Sequence, residues 1–362
     1  MNKKHYIIPI FVPHVGCPHD CVFCNQKKIT GGLEQTFADM ISPTAVNEII
    51  LQYLKTISKA PDTVVEVAFY GGSFTGIPIH IQEPLLAVAF SYMNSGQIQG
   101  IRLSTRPDYI DDDILMHLKK YGVNTIELGV QSLDEEVLKQ SNRGHTVQDV
   151  IQASKRIKQH GITLGLQMMI GLPGDTEQKI YHTAKKMIAL KPKMVRIYPT
   201  VVIKGTALEK KYYDKTYEPL TLESAVSICK NLLVLFDQND IQVIRIGLQP
   251  TENIAHGKDV IAGPLHPAMR MLVESDLRLD MIKQLLKRIC AKIVELNIYV
   301  NPKSISETIG LKKKNIVYLE DTYGIQKVKV LTDSSIKRDA ICIIHHNQRH
   351  CIDKNMIRQQ KA

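Results

Sequence analysis

The chain has no apolar run long enough to span a bilayer. Its opening stretch, "MNKKHYIIPIFVPHVGC", imitates an export signal. The apolar part is short, is interrupted by Pro9 and Pro13, and ends in His14 where a cleavage site needs small residues. We read it as a first β-strand, and expect a cytoplasmic protein with no membrane partner. No Gly-Lys-Ser/Thr follows any glycine-rich loop, which excludes a nucleotide P-loop. Internal repeats and low-complexity tracts are also missing. The cysteines number seven, an odd count. Without an export signal, that count argues for reduced thiols and metal ligation, not disulfides. Three of them, Cys17, Cys21 and Cys24, stand close together with no fourth nearby. The next cysteine is Cys229, so a structural zinc site, which needs a second pair, lacks its ligands.

What remains is ordinary globular material, 44% hydrophobic and 23% charged, enough for one large domain and a smaller one. The net charge is +10, and it is unevenly placed. From residue 271 onward, 17 Lys and Arg face 10 Asp and Glu, so the last quarter carries most of the excess. That asymmetry suits a polyanion binder, and equally a solubilising face.

Apolar, β-branched runs recur at 5–12, 63–70, 100–105, 125–130, 163–170 and 194–200. Amphipathic stretches at 43–58, 81–94, 111–120, 134–158 and 176–190 separate them. Near-continuously apolar strands alternating with helices predict a parallel sheet with helices outside it. The fold class is α/β, and six such units fit a partial (β/α)6 TIM-like barrel better than an open doubly wound sheet. The polar, glycine-rich and cysteine-rich stretches ("GCPHDCVFC", "GGSFTG", "TRPD", "VQS", "GLPGDT", "YPT") all follow or close a predicted strand. Parallel β/α barrels build their active sites at those ends. A helix near 221–238 and a strand at 241–247 extend the barrel. Pro250, Gly257, Gly263, Pro264 and Pro267 then crowd together. We place the boundary there, with domains 1–265 and 266–362.

Three thiolates can hold three irons of a four-iron cluster and leave the fourth open to substrate. The spacing C-x3-C-x2-C, with Phe23 before the third cysteine and a strand before the motif, resembles the radical SAM superfamily. The resemblance implies a [4Fe-4S] cluster on Cys17, Cys21 and Cys24. It implies S-adenosylmethionine chelated at the fourth iron, and one-electron cleavage to a 5′-deoxyadenosyl radical. A one-electron donor such as ferredoxin or flavodoxin is then needed. Gly71, Gly72 and Ser73 let backbone approach a ligand closely, and in that superfamily this stretch receives the methionine amino group.

"YGGSFTGIP", "TRPDYID", "IELGVQSLDEEVLKQSNRGHT", "MMIGLPGDT" and "VRIYPTVVIKGTALEK" resemble, more closely, the radical SAM domain of the Elongator catalytic subunit, a tRNA wobble-uridine modifying enzyme. The likeness runs from about residue 5 to 250 and implies SAM contacts from Gln131 and Arg143. Gln167 stands where relatives often carry an acid for the ribose hydroxyls. Arg106 and Asp108 form a structural ion pair or contact substrate. Two departures are expected to matter. Elongator subunits usually space the first two cysteines more widely, and they continue into an acetyltransferase domain, for which the roughly ninety residues after the barrel are too few.

Residues 293–345 predict strand (293–300), helix (303–309), helix (314–322), strand (325–331) and strand (339–345). Gly310 and Gly324 fall where a KH-like RNA-binding domain has its glycine loop and turn glycine. The second loop glycine is Lys313, flanked by Lys312 and Lys314, which adds phosphate attraction but hinders close backbone approach. The other reading is a small α+β cap with a solvated lysine turn. Cys342, His345, His346, His350 and Cys351 gather in "CIIHHNQRHC" as a conceivable metal site, although alternating strand residues need not converge. The sequence thus predicts a radical SAM enzyme acting on tRNA or another RNA. Radical chemistry on a small molecule such as a porphyrin precursor, or an RNA-binding protein with a structural cluster, are the alternatives.

Overall fold

The structure is a computed structural model that describes residues 4–12, 20–25, 41–58, 60, 62–248, 258–289, 293–346 and 348–357. The first elements are β1 (Lys4–Val12), α1 (Pro43–Thr56), β2 (Thr63–Gly71), α2 (Ile79–Asn94), β3 (Gly100–Thr105), α3 (Asp112–Lys120), β4 (Val123–Gln131), α4 (Glu135–Gln140), α5 (Val147–Gln159), β5 (Thr163–Ile170), α6 (Glu177–Ala189) and β6 (Met194–Pro199). There follow β7 (Val202–Ile203), α7 (Ala207–Tyr213), α8 (Leu222–Asp237), β8 (Gln242–Ile246), β9 (Val260–Ala262), α9 (Met269–Ile289), β10 (Glu295–Val300), α10 (Ile305–Ile309), α11 (Lys314–Tyr323), β11 (Lys327–Thr332), β12 (Ala340–His345) and β13 (Gln348–Asp353). Two compact units divide them: Met1–Pro219 with Pro250–Gly263, and Leu220–Gln249 with Pro264–Ala362. The stretch holding α8 and β8 therefore groups with the C-terminal residues.

In the first unit β1 to β6 lie side by side in chain order, every pair parallel. This is the partial TIM-like barrel of the α/β class. Strand alternation sets its two faces. On β2, Val65, Val67 and Phe69 are buried, while Glu66 and Tyr70 turn the other way and are only half-buried. The sheet is curled: Arg196 Nη2 on β6 donates to the Tyr70 hydroxyl on β2 at 2.7 Å, across three intervening strands.

The helices begin where short polar side chains replace missing backbone acceptors. Ser42, Asp111, Asp134, Thr146, Thr176 and Thr206 each accept from a backbone N–H two or three residues into the helix that follows. Thr146 and Asp149 cap each other reciprocally. The amphipathic stretch over 134–158 forms two helices, α4 and α5, the second capped by Thr146. Asn142 (φ +50°) and Gly144 (φ +80°) take left-handed backbone and break it.

In the second unit the order β11-β10-β12-β13 forms one sheet, β10–β11 parallel and the other pairs antiparallel. Against the predicted tail, the addition is β13, which returns from a turn at His346 (φ +47°). Cys342 and Cys351 face each other across this hairpin and form a disulfide. For these two cysteines this corrects the expectation of reduced thiols. A two-stranded return places the two sulfurs on one face, a proximity that the cysteine count alone does not convey. His350 pairs with Ile343 on the opposite face. Among the described residues no group of three or more His, Cys, Asp or Glu could hold a metal ion. Also among them, no helix is long and apolar enough to cross a membrane.

Candidate active site

Cys21 and Cys24 lie on one tight turn, with Cys24 N donating to Cys21 O at 3.0 Å. Cys21 is buried and Cys24 half-buried. Cys17 falls outside the described residues. Three consecutive residues between α4 and α5 grip this turn. Ser141 O accepts from Val22 N at 3.1 Å. Asn142 Nδ2 donates to Asp20 O at 2.8 Å. Arg143 Nη1 donates to Cys21 Sγ at 3.5 Å. From the other side Val22 O accepts from Leu208 N at 2.8 Å, and Val22 packs with Val202, Leu208 and Tyr217. "SNRG" thus acts as the bracket of the cysteine turn, a role that its sequence position did not suggest.

Arg143 also ties the turn to β4: its Nη2 donates to Gly129 O at 2.8 Å. A Cβ at residue 129 would lie 2.9 Å from that Nη2 and 3.1 Å from Gln131 Nε2, so both side-chain ends would have to shift. At the strand end Gln131 is held at φ +64°, where the β4–β5 register shifts. Such a conformation in a non-glycine residue costs of order 1–3 kcal/mol and collects at ligand sites. Gln131 Oε1 and Arg143 Nε are both buried without a hydrogen-bond partner among the described residues. Two sealed, unsatisfied polar atoms beside a cysteine turn fit a polar cofactor.

Gly71 (φ +119°) ends β2, and Gly72 N lies 3.4 Å from its acceptor, Val12 O. Ser73 is buried with its hydroxyl already engaged, 2.8 Å from Thr105 Oγ1 and accepting from Arg106 N at 3.2 Å. Thr75 joins the same Thr105 hydroxyl. Ser73 therefore pins β2 to β3, and what "GGSF" offers a ligand is its glycine backbone. Arg106 pairs with Asp108 through Nε (3.0 Å) and Nη2 (2.8 Å). Gln167, the register partner of Gly129, has its Nε2 3.4 Å from Glu127 Oε2.

That last contact leads into an array that the sequence reading missed. Glu127, 1% exposed, receives Arg196 through Nε, through Nη2 at 3.0 Å, and the Tyr70 hydroxyl at 3.2 Å. Arg102 Nη1 stands 3.8 Å from Glu127, and its Nε stands 3.4 Å from Glu66, which also binds His5 at 2.7 Å. Burial raises the Tyr70 hydroxyl well above its usual range, and the Glu127 charge adds to the effect. Burial also works against the Arg196 charge, but Glu127 outweighs it and holds Arg196 above its ordinary value. For Glu66, burial pushes up, yet the His5 bond and the Arg102 charge leave the carboxyl below its usual value. The available signal was one charge set inside each apolar run: Glu66 in "TVVEVAFY", Arg102 in "GIRLST", Glu127 in "TIELGV", Arg196 in "MVRIYP".

In the second unit, the loop before α11 holds Gly310 at φ +79°, Lys312 at +51° and Lys313 at +62°. Asn315 Nδ2 anchors it, donating to Ser275 O (2.9 Å), Ser275 Oγ (3.1 Å) and Thr308 O (3.1 Å). Lys312, Lys313 and Lys314 are exposed.

A curled parallel sheet with a gripped cysteine turn at its strand ends defines a radical SAM enzyme. The chain belongs to the radical SAM superfamily: its model matches residues 11–187, and that of the radical SAM C-terminal domain matches 192–278. Among relatives, an uncharacterized protein of Methanocaldococcus jannaschii is 30% identical over 64% of this chain and 72% of its own length. A tRNA uridine(34) acetyltransferase of Methanocaldococcus infernus is 26% identical over 61% of this chain and 48% of its own. The chain therefore spans about half the length of that enzyme. The solved structure of the archaeal Methanocaldococcus infernus Elp3 with an N-terminal deletion shares the fold at TM-score 0.59 and 19% identity. It covers 95% of this chain and 74% of its own.

Proposed function

We propose that the chain is a radical SAM enzyme that modifies a uridine in tRNA. The observation that carries the reading is Arg143, which joins the Cys21 thiol to β4 beside the unsatisfied Gln131 Oε1. Cys17, Cys21 and Cys24 would hold three irons of a [4Fe-4S] cluster, and SAM would take the fourth. When bound and reduced, that pair supplies a 5′-deoxyadenosyl radical. The protein's residues orient and enclose. Arg143 places a positive charge against a thiolate ligand. Gly71 and Gly72 offer backbone at close range, and Gln131 offers its carbonyl oxygen. Gln167 is the weakest of the expected SAM contacts, since its amide is drawn to Glu127.

The tRNA substrate is supported by the relatives whose names specify tRNA uridine. The exposed Lys312, Lys313 and Lys314 beside Gly310, on a loop anchored by Asn315, support a grip on RNA phosphates. A cytoplasmic setting and a ferredoxin- or flavodoxin-type electron donor complete the reading. The test compares tRNA nucleosides by mass spectrometry with and without the gene. A missing uridine derivative supports the reading; an unaltered profile sinks the tRNA substrate.

A further inference from the structure

Gln167 on β5 and Arg196 on β6 are register partners on adjacent parallel strands. Both touch Glu127, which as a carboxylate can only accept. The carboxylate thereby decides which way round the Gln167 amide lies: the NH2 turns to Glu127 and Oε1 is left over. It also takes Arg196 Nε and Nη2, and Nη2 is shared with Tyr70. Arg196 Nη1 has no acceptor, and Gln167 Oε1 no donor, among the described residues. Neither atom is sealed off from solvent without a partner, and the Arg196 side chain keeps 11% exposure. A free donor and a free acceptor therefore stand side by side on the concave face. The two guanidinium charges, Arg196 and Arg102, are already matched by Glu127 and Glu66. A further anion would find no unbalanced charge to meet it.

We propose that Arg196 Nη1 and Gln167 Oε1 read the neutral lactam edge of a nucleobase, the carbonyl oxygen on Arg196 and the ring N–H on Gln167. Uracil and guanine present that edge. Cytosine and adenine present an amino donor and a bare ring nitrogen, the reverse pattern, and are rejected because the bound base would shut both atoms off from water without pairing them. The inference rests on the RNA reading above and deepens it by naming what the site recognises.

The test uses the anaerobically reconstituted, SAM-loaded protein. The probes are synthetic anticodon stem-loop RNAs with uridine, 3-methyluridine, cytidine or guanosine at the first anticodon position, and equilibrium binding is read by fluorescence anisotropy. Uridine should bind about tenfold tighter than 3-methyluridine or cytidine. Gln167→Met should shrink that ratio to within about threefold. Tighter binding of guanosine than of uridine also supports the lactam pair and assigns the base to guanine. Equal binding of uridine and 3-methyluridine RNA, a comparison that needs no variant, overturns the pair and leaves the RNA reading standing. No binding of any stem-loop overturns both.

Discussion

Replacing Gly71 by alanine separates two costs that this position imposes. Gly71 ends β2 at φ +119°, and an added Cβ would lie 2.1 Å from Val12 O and 3.2 Å from Val12 N. No side chain can move aside, because the obstacle is the backbone of β1, the strand that leads toward the cysteine turn. The backbone strain costs alanine about 1–2 kcal/mol. Forcing β1 away adds about 1–3 kcal/mol, the range for overpacked sites. Gly96 supplies the control: it has φ +72° and nothing within 4 Å of an added Cβ. Gly96→Ala should lose only the strain, about 1 kcal/mol. Gly71→Ala should lose about 2–5 kcal/mol in urea denaturation, a fall in melting temperature of roughly 5–15 °C. It should also retain less SAM after reconstitution, read by equilibrium dialysis. If the two variants unfold together and bind SAM alike, the close approach of the second strand to Val12 is not what fixes this glycine.

Arg143→Met should lower iron incorporation several-fold under limiting iron, since the cysteine turn loses its tie to Gly129; unchanged iron content would refute the bracket. Asp175 is pushed up to about 6 by burial, against backbone hydrogen bonds from Gly171, Thr176 and Leu172. Its folded-state value lies above the unfolded one. The stability it contributes is therefore present at pH 4 and lost as pH rises through about 6, roughly 2–3 kcal/mol at most. Asp175→Asn should flatten that part of the urea-midpoint profile relative to wild type, and a parallel profile would contradict the assignment. Cys351→Ser opens a loop of sequence separation 9 and should cost about 2–3 kcal/mol of the second unit's stability under oxidising conditions only. Equal denaturation midpoints with and without reductant would argue against the bridge. Asn315→Ala leaves Ser275 O and Thr308 O without that donor, for about 1–3 kcal/mol, and should weaken RNA retention. Changing Lys312, Lys313 and Lys314 together to Glu should abolish retention, and full retention would remove the lysine loop from the RNA contact.

The barrel was legible because near-continuous apolar runs and amphipathic stretches have different periods, and because glycine and cysteine motifs fall at one end of the strands. The start of α5 at Thr146 was legible in "NRGHT", but the end of α4 was harder to see. "SNRGH" carries helix-compatible residues on both sides, and only the left-handed Asn142 and Gly144 end the helix. Arg143 was named from its motif, but its partners, Cys21 and Gly129, come from distant segments that only the curled sheet brings together. Ser73 carries the motif of a ligand contact, whereas its hydroxyl serves Thr105. The Glu127 array left a visible trace in the sequence, one charge per apolar strand. Their meeting on the concave face depends on curvature, which no local pattern encodes. The disulfide follows the same logic, since Cys342 and Cys351 pair through a return strand that follows a turn at a non-glycine residue.

The central claim is that the turn holding Cys21 and Cys24 carries a cluster that cleaves SAM. Anaerobically reconstituted protein, reduced with dithionite and given SAM, should release 5′-deoxyadenosine in an amount that scales with its iron content, and Cys21→Ala should release none. Iron-loaded protein that yields no 5′-deoxyadenosine, or a Cys21→Ala variant that yields as much as wild type, would contradict it.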